Sequence, residues 1–90
     1  MLKKGGWTAL HYAAIHSNFE IFKFIFKNAE NKNPTEEFGR TPLHLAVMWD
    51  RLEICKLIIA NVENPNLGDN FGKTPQSFAR NKEIIKLFEN

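Results

Sequence analysis

Ninety residues, 43% apolar and 24% charged, bound one small domain and leave no room for a large single core. A formal charge of +2 at pH 7 is too weak to argue by itself for a nucleic-acid or membrane partner. A single cysteine excludes an internal disulfide framework and favours a reducing compartment, the cytoplasm or nucleus. Met1-Leu2-Lys3-Lys4 runs into Gly5-Gly6 with no apolar stretch behind it, which does not read as a signal peptide, and no apolar run is long enough to span a bilayer.

In chain order, the first expected helix runs from about Ala9 to His16, with Thr8 as its N-cap. Ser17-Asn18 breaks the pattern, and a second helix is expected from about Phe19 to Asn28. Phe19, Phe22, Phe24 and Phe26 beside Ile21 and Ile25 give that helix an apolar arc too wide for one covered side. The polar string from Ala29 to Phe38, with Pro34, has no helical period and reads as a long connection. Gly39 suits a tight turn with positive φ. Thr41 then caps a helix that has Pro42 at a position where the missing N–H costs nothing, and that helix is expected to extend to Trp49. Asp50-Arg51 forms a turn, Leu52 to Asn61 the next helix, and Gly68-Asp69-Asn70 the next turn signal. Two shorter helices, about Pro75 to Arg80 and Lys82 to Glu89, close the chain.

These elements recur. Gly6-Trp7-Thr8-Ala9-Leu10-His11-Tyr12-Ala13, Gly39-Arg40-Thr41-Pro42-Leu43-His44-Leu45-Ala46 and Gly72-Lys73-Thr74-Pro75-Gln76-Ser77-Phe78-Ala79 stand 33 residues apart and keep Gly, Thr and Ala in place. Phe19 to Ile25 and Leu52 to Ile58 recur in phase, and the later copy at Lys82 to Phe88 follows after 30 residues, about one helical turn short. With this period and a complete T-P-L-H-x-A signature at Thr41 to Ala46, the sequence resembles the ankyrin repeat family over nearly its whole length. The resemblance implies an all-α solenoid of stacked helix-turn-helix units joined by β-turn or hairpin connections, a single domain over 1–90 with units at about 5–37, 38–70 and 71–90. Where the family places glycine then histidine between the helices, this chain has Asp50-Arg51. Gln76 and Ser77 give the last unit the polar face that a terminal cap requires.

Chemistry is sparse. His11 and His44 share one repeat position, which the resemblance assigns to hydrogen bonds tying neighbouring turns together; metal ligation or general-base work is the alternative. His16, five residues after His11, does not share a helical face with it. Cys55 sits in an apolar face, as a buried inert thiol rather than a nucleophile. No phosphate loop, paired-Cys motif or nucleophile elbow is present, so neither catalysis nor a cofactor or metal is expected.

The family grips partners with hairpin tips and the exposed side of the first helices. The matching positions are Trp7, Ile15 and His16 in the first unit; Glu37, Phe38, Arg40, Met48 and Trp49 in the second; and Asn70, Phe71 and Lys73 in the third. Aromatics beside Arg and Lys resemble a hot-spot composition, so the expected function is non-catalytic binding of another protein. The alternatives are rings that merely fold back on their turns, and a nucleic-acid binder using Lys3, Lys4, Arg40, Lys73 and the aromatics; Glu36, Glu37 and Asp69 at the same tips count against the latter. The first unit keeps Leu10, Tyr12, Phe19, Phe22 and Phe26 with only Met1 to Gly5 before it. Part of that apolar surface is therefore expected to be open, as in a fragment of a longer array, the favoured reading, or a self-associating chain, unless the short N-terminal arm folds over it.

Overall fold

The computed structural model describes residues 4–89. Five α-helices follow a 3-10 turn at Lys4–Gly6: α1 (Ala9–His16), α2 (Phe19–Asn28), α3 (Pro42–Met48), α4 (Leu52–Asn61) and α5 (Lys82–Phe88), with a second 3-10 turn at Pro75–Phe78 between α4 and α5. No strand occurs among the described residues.

Four of the five α-helices begin where a side chain takes up an orphaned amide. Thr8 and Thr41 accept from the backbone N–H of His11 and His44, and Asn18 and Asn81 cap α2 and α5 in the same way. Arg51, before α4, makes no side-chain cap bond. Helix ends are closed by cations: Arg51 donates through Nη1 to the carbonyls of Ala14 and Ile15, at 3.2 and 2.6 Å, and through Nη2 to that of Ser17, while Lys32 Nζ donates to the carbonyls of Phe26, Lys27 and Ala29. Positive charge at a helix C-terminus complements its dipole.

The helices stack in two rows. α1 packs on α3 and α3 on the Pro75–Phe78 turn; behind them α2 packs on α4 and α4 on α5. Leu10, Phe22, Leu43, Leu45, Ile54, Ile58 and Ile84 are buried between the rows and successive units, with Cys55 among them. Burial pushes the Cys55 thiol up to about 12, with the Asp50 charge adding to the effect, so it is protonated and inert.

Three expectations need correction. The helix from Pro42 ends at Met48, because Trp49 leaves the helical region and Asp50 turns left-handed at φ 56°. The segment from Pro75 is a four-residue 3-10 turn that stops at Phe78 short of Arg80, since a unit about one turn short has no length for a full helix; α5 likewise stops at Phe88, one residue before Glu89. In the first unit Leu10, Phe22 and Phe26 are buried; the side chains left open there are Tyr12, Ile21 and Phe24. The unit below covers the phenylalanines at Phe22 and Phe26, leaving the opposite side of the helix bare. Met1 and Lys3, named in the sequence-based expectations, lie outside the described residues, as does the Lys4 side chain.

Candidate functional site

Two turns project from the first-helix row, residues 36–40 and 69–73, and they are built alike. In the first, the Glu36 amide donates to Arg40 O at 3.0 Å and the Gly39 amide to Glu36 O at 2.9 Å; in the second, Asp69 donates to Lys73 O at 2.8 Å and Gly72 to Asp69 O at 3.0 Å. Gly39 and Gly72 hold φ of 78° and 79°, where a side chain would be strained. The turns are linked in series: the Glu37 amide donates to Gly5 O at 2.7 Å, and the Asn70 amide donates to Phe38 O at 2.8 Å.

The acid that opens each turn folds inward. Glu36 Oε1 accepts from the Phe38 and Arg40 amides at 2.7 and 2.9 Å, and Oε2 accepts from Arg40 Nε at 2.8 Å and Nη2 at 2.7 Å. Its side chain is 0% exposed. Burial favours the neutral acid, but the hydrogen bonds from Arg40 and Phe38 outweigh it and hold the carboxyl below its usual range. Asp69 Oδ1 accepts from the Phe71 and Lys73 amides, both at 2.9 Å; these bonds outweigh a desolvation that works the other way and again lower the carboxyl.

Behind the turns stand the two histidines. His44 Nδ1 accepts the Thr41 amide at 2.9 Å, which puts the proton on Nε2, and Nε2–H donates to Lys73 O at 2.9 Å. His11 repeats this with Thr8 at 3.1 Å and Arg40 O at 2.8 Å. Each ring therefore joins its helix start to the next turn. Burial lowers both imidazoles below the usual value, more than the carbonyl hydrogen bonds raise them, so they stand neutral. In the third unit Ser77 takes this place and closes only on Thr74, through Oγ–H to Thr74 O at 2.6 Å.

Of the positions singled out in the sequence, Phe38, Arg40, Met48, Phe71 and Lys73 converge on one groove of about 330 Å3 with Asp69 and Phe78. The Phe38 and Phe71 rings lie 6.3 Å apart, and Arg40 covers Phe38 at 5.2 Å from the ring centroid. Phe71 is 72% exposed. Arg40 and Met48 are half-buried, because Arg40 is spent on Glu36 and Met48 packs against the core. Trp49 is exposed at the end of α3, outside that groove. Trp7 is half-buried against Tyr12, ring centroids 5.0 Å apart, and His16 stacks on Tyr12 at 6.4 Å. Ile15 is half-buried, with part of its side chain packed against the core. Glu37 and Asn70 are exposed but tie the turns, with Asn70 Nδ2 donating to Glu37 O at 3.0 Å. The sequence reading placed Glu36 at an exposed tip; it is buried, because only an inward carboxylate can satisfy two turn amides and a guanidinium at once. Phe78 was missed, its place in a polar last unit giving no hint that it floors the groove. The available signal for Glu36 was the acid three residues before each turn glycine and four before Arg40 or Lys73.

Among the described residues no three His, Cys, Asp or Glu side chains come together to hold a metal ion, and no helix is long and apolar enough to cross a membrane. What the geometry defines is a repeat protein, in which each helix pair is fastened to the next through a turn, an inward acid and a neutral histidine. The family model for ankyrin repeats in three copies matches residues 1–69 and again 18–89, and the chain belongs to the ankyrin repeat family. No curated protein matches the chain. Ankyrin repeats are generally protein–protein interaction modules and typically not enzymes.

Proposed function

We propose that this chain is a non-catalytic module that binds a partner protein through its turn tips and the exposed side of its first helices. The observation that carries the reading is the Phe38–Phe71 groove. Two large rings stand together at the surface where neither is needed for the core, beside Lys73, which is exposed. Phe38, Phe71 and Lys73 make the central contacts, with Arg40 and Met48 as the walls and Trp49 as a separate anchor. Trp7, Ile15, His16, Glu37 and Asn70 lie at the margin, contributing through their exposed edges. A nucleic-acid reading draws less support, since Arg40 is neutralised by Glu36 and Arg80 approaches Asp50 at 3.7 Å. The lone buried thiol accords with a reducing location, cytoplasmic or nuclear.

Affinity purification with the wild-type chain and with Phe71→Ala or Lys73→Glu side by side tests the site. Both residues are exposed, so both variants should keep the wild-type melting temperature and lose a protein that the wild type retains. Truncating an anchor ring typically weakens binding by about 2 kcal/mol or more. A partner retained equally by all three would refute the groove as its site.

A further inference from the structure

The period of 33 residues allows each position in the first unit to be compared with its equivalent in the second. Tyr12, Ile21 and Ile25 correspond to Leu45, Ile54 and Ile58. In the second unit these three are buried by α1 and α2; in the first, Tyr12 is 41% and Ile21 51% exposed, and Ile25 is half-buried. Between α1 and α2 they line an open, apolar groove of about 520 Å3, completed by Ala9, Ala13 and His16. Phe24, exposed, extends the stripe along α2. At the other end of the stack the match is missing, because none of the large exposed apolar side chains among the described residues lies in Pro75–Phe78 or α5. Head-to-tail stacking of chains would therefore set an apolar face against a polar one.

A second copy of the same face is the complement. We propose that two chains associate through this end by a two-fold axis that pairs α2 antiparallel with α2 of the other copy. Two of the three charges on α2 argue for it; the third, Lys23, is exposed but turned further from the stripe than Glu20 or Lys27. Glu20 and Lys27 are seven residues apart, hence on nearly the same line of the helix, and both lie on the flank of the stripe beside Phe24. Both are exposed, and neither belongs to an ion pair found among the described residues. A two-fold axis lying across the helices reverses direction and keeps the flank, so Glu20 of one copy faces Lys27 of the other, twice, with Phe24 close to the axis. Each residue then meets what its counterpart meets, as an isologous interface requires. A parallel pair, whose two-fold axis runs along the helices, carries that flank to the opposite side and leaves Glu20 and Lys27 without each other.

Sedimentation equilibrium across a wide concentration range, with circular dichroism as a check of folding, tests this. The wild-type chain should show a concentration-dependent dimer. Ile21→Glu, at a half-exposed position, should keep the helical spectrum and run as a monomer. Glu20→Lys alone and Lys27→Glu alone should each raise the dimer dissociation constant by on the order of tenfold, since each creates two like-charge contacts. An equimolar mixture of these two variants should recover wild-type association, because every contact between unlike copies is then attractive. A wild-type chain monomeric at every concentration overturns the proposal, as does a dimer indifferent to Ile21→Glu. Charge variants that associate like wild type, or that fail to recover on mixing, overturn the antiparallel pairing.

Discussion

The turns at 36–40 and 69–73 share one hydrogen-bonding plan but differ in how deeply they are embedded. The first is enclosed: Glu36 is buried, Arg40 is drawn onto it, and Gly39 faces Asn70 of the next turn so closely that an added Cβ would stand 2.9 Å from the Asn70 amide nitrogen. The second is bare: Asp69 is nearer the solvent, Lys73 makes no ion pair found among the described residues, and no atom lies within 4 Å of where a Cβ on Gly72 would be. The same local geometry is therefore braced from both sides in one case, and in the other only from the side of the preceding turn and His44. In a stacked array a turn becomes structural when a further turn covers it, and remains available for recognition when none does.

Substitution of the two acids should break the symmetry most sharply. Glu36→Ala leaves two turn amides and a half-buried guanidinium without their acceptor, and should cost about 2–4 kcal/mol in urea unfolding. Asp69→Ala leaves its amides open to water and should cost under about 1 kcal/mol. Equal losses would show that burial does not separate the two turns.

The glycines offer the next largest contrast. Gly72→Ala should cost about 1 kcal/mol, the strain of a left-handed backbone. Gly39→Ala carries that strain and a clash with backbone, so its loss should be about twice as large, read from thermal unfolding of both variants.

The last contrast comes from pH, and it tests the histidines behind both turns. His11 and His44 have folded values below 6.5, so below that pH the unfolded chain takes up protons that the folded chain resists. Stability should be flat between pH 6.5 and the approach to pH 9.0, where the unfolded Cys55 thiol begins to ionise, and fall as pH drops from 6.5 through the folded histidine values, by no more than about 1.4 kcal/mol per pH unit for each histidine. Glu36 and Asp69, lowered from 4.5 and 3.8, add a second loss as the unfolded chain begins to protonate them at more acid pH. His44→Gln should flatten the first decline by about half and leave the second, followed by urea titrations at successive pH values.

The rows of helices were legible because their starts are written locally. Thr8, Asn18, Thr41 and Asn81 each mark a cap that the structure uses, and α1, α2 and α4 run between the residues expected. The third unit was harder, since propensity favours a helix at Pro75 while the shortened spacing allows only a 3-10 turn. The groove was half legible. A repeat pattern says which positions lie at turn tips, but whether a carboxylate there points outward or inward depends on how many backbone amides the turn leaves unpaired. Periodicity does not encode that count. The open face of the first unit was read in the right place, with Tyr12 among its side chains but Leu10, Phe22 and Phe26 wrongly included, because an arc of phenylalanines does not reveal which part of it the neighbouring unit takes.

Arg51 has a consequence for the order in which the chain assembles. Its guanidinium closes the C-terminal carbonyls of α1 from the start of α4, 34 to 37 residues further along. During synthesis α1 can coil as soon as its own residues emerge, yet its end remains open to water until residue 51 arrives and α3 has turned back upon it. The first unit is thus finished by the second. During synthesis the end of α1 therefore stays unsealed for about one further repeat of chain.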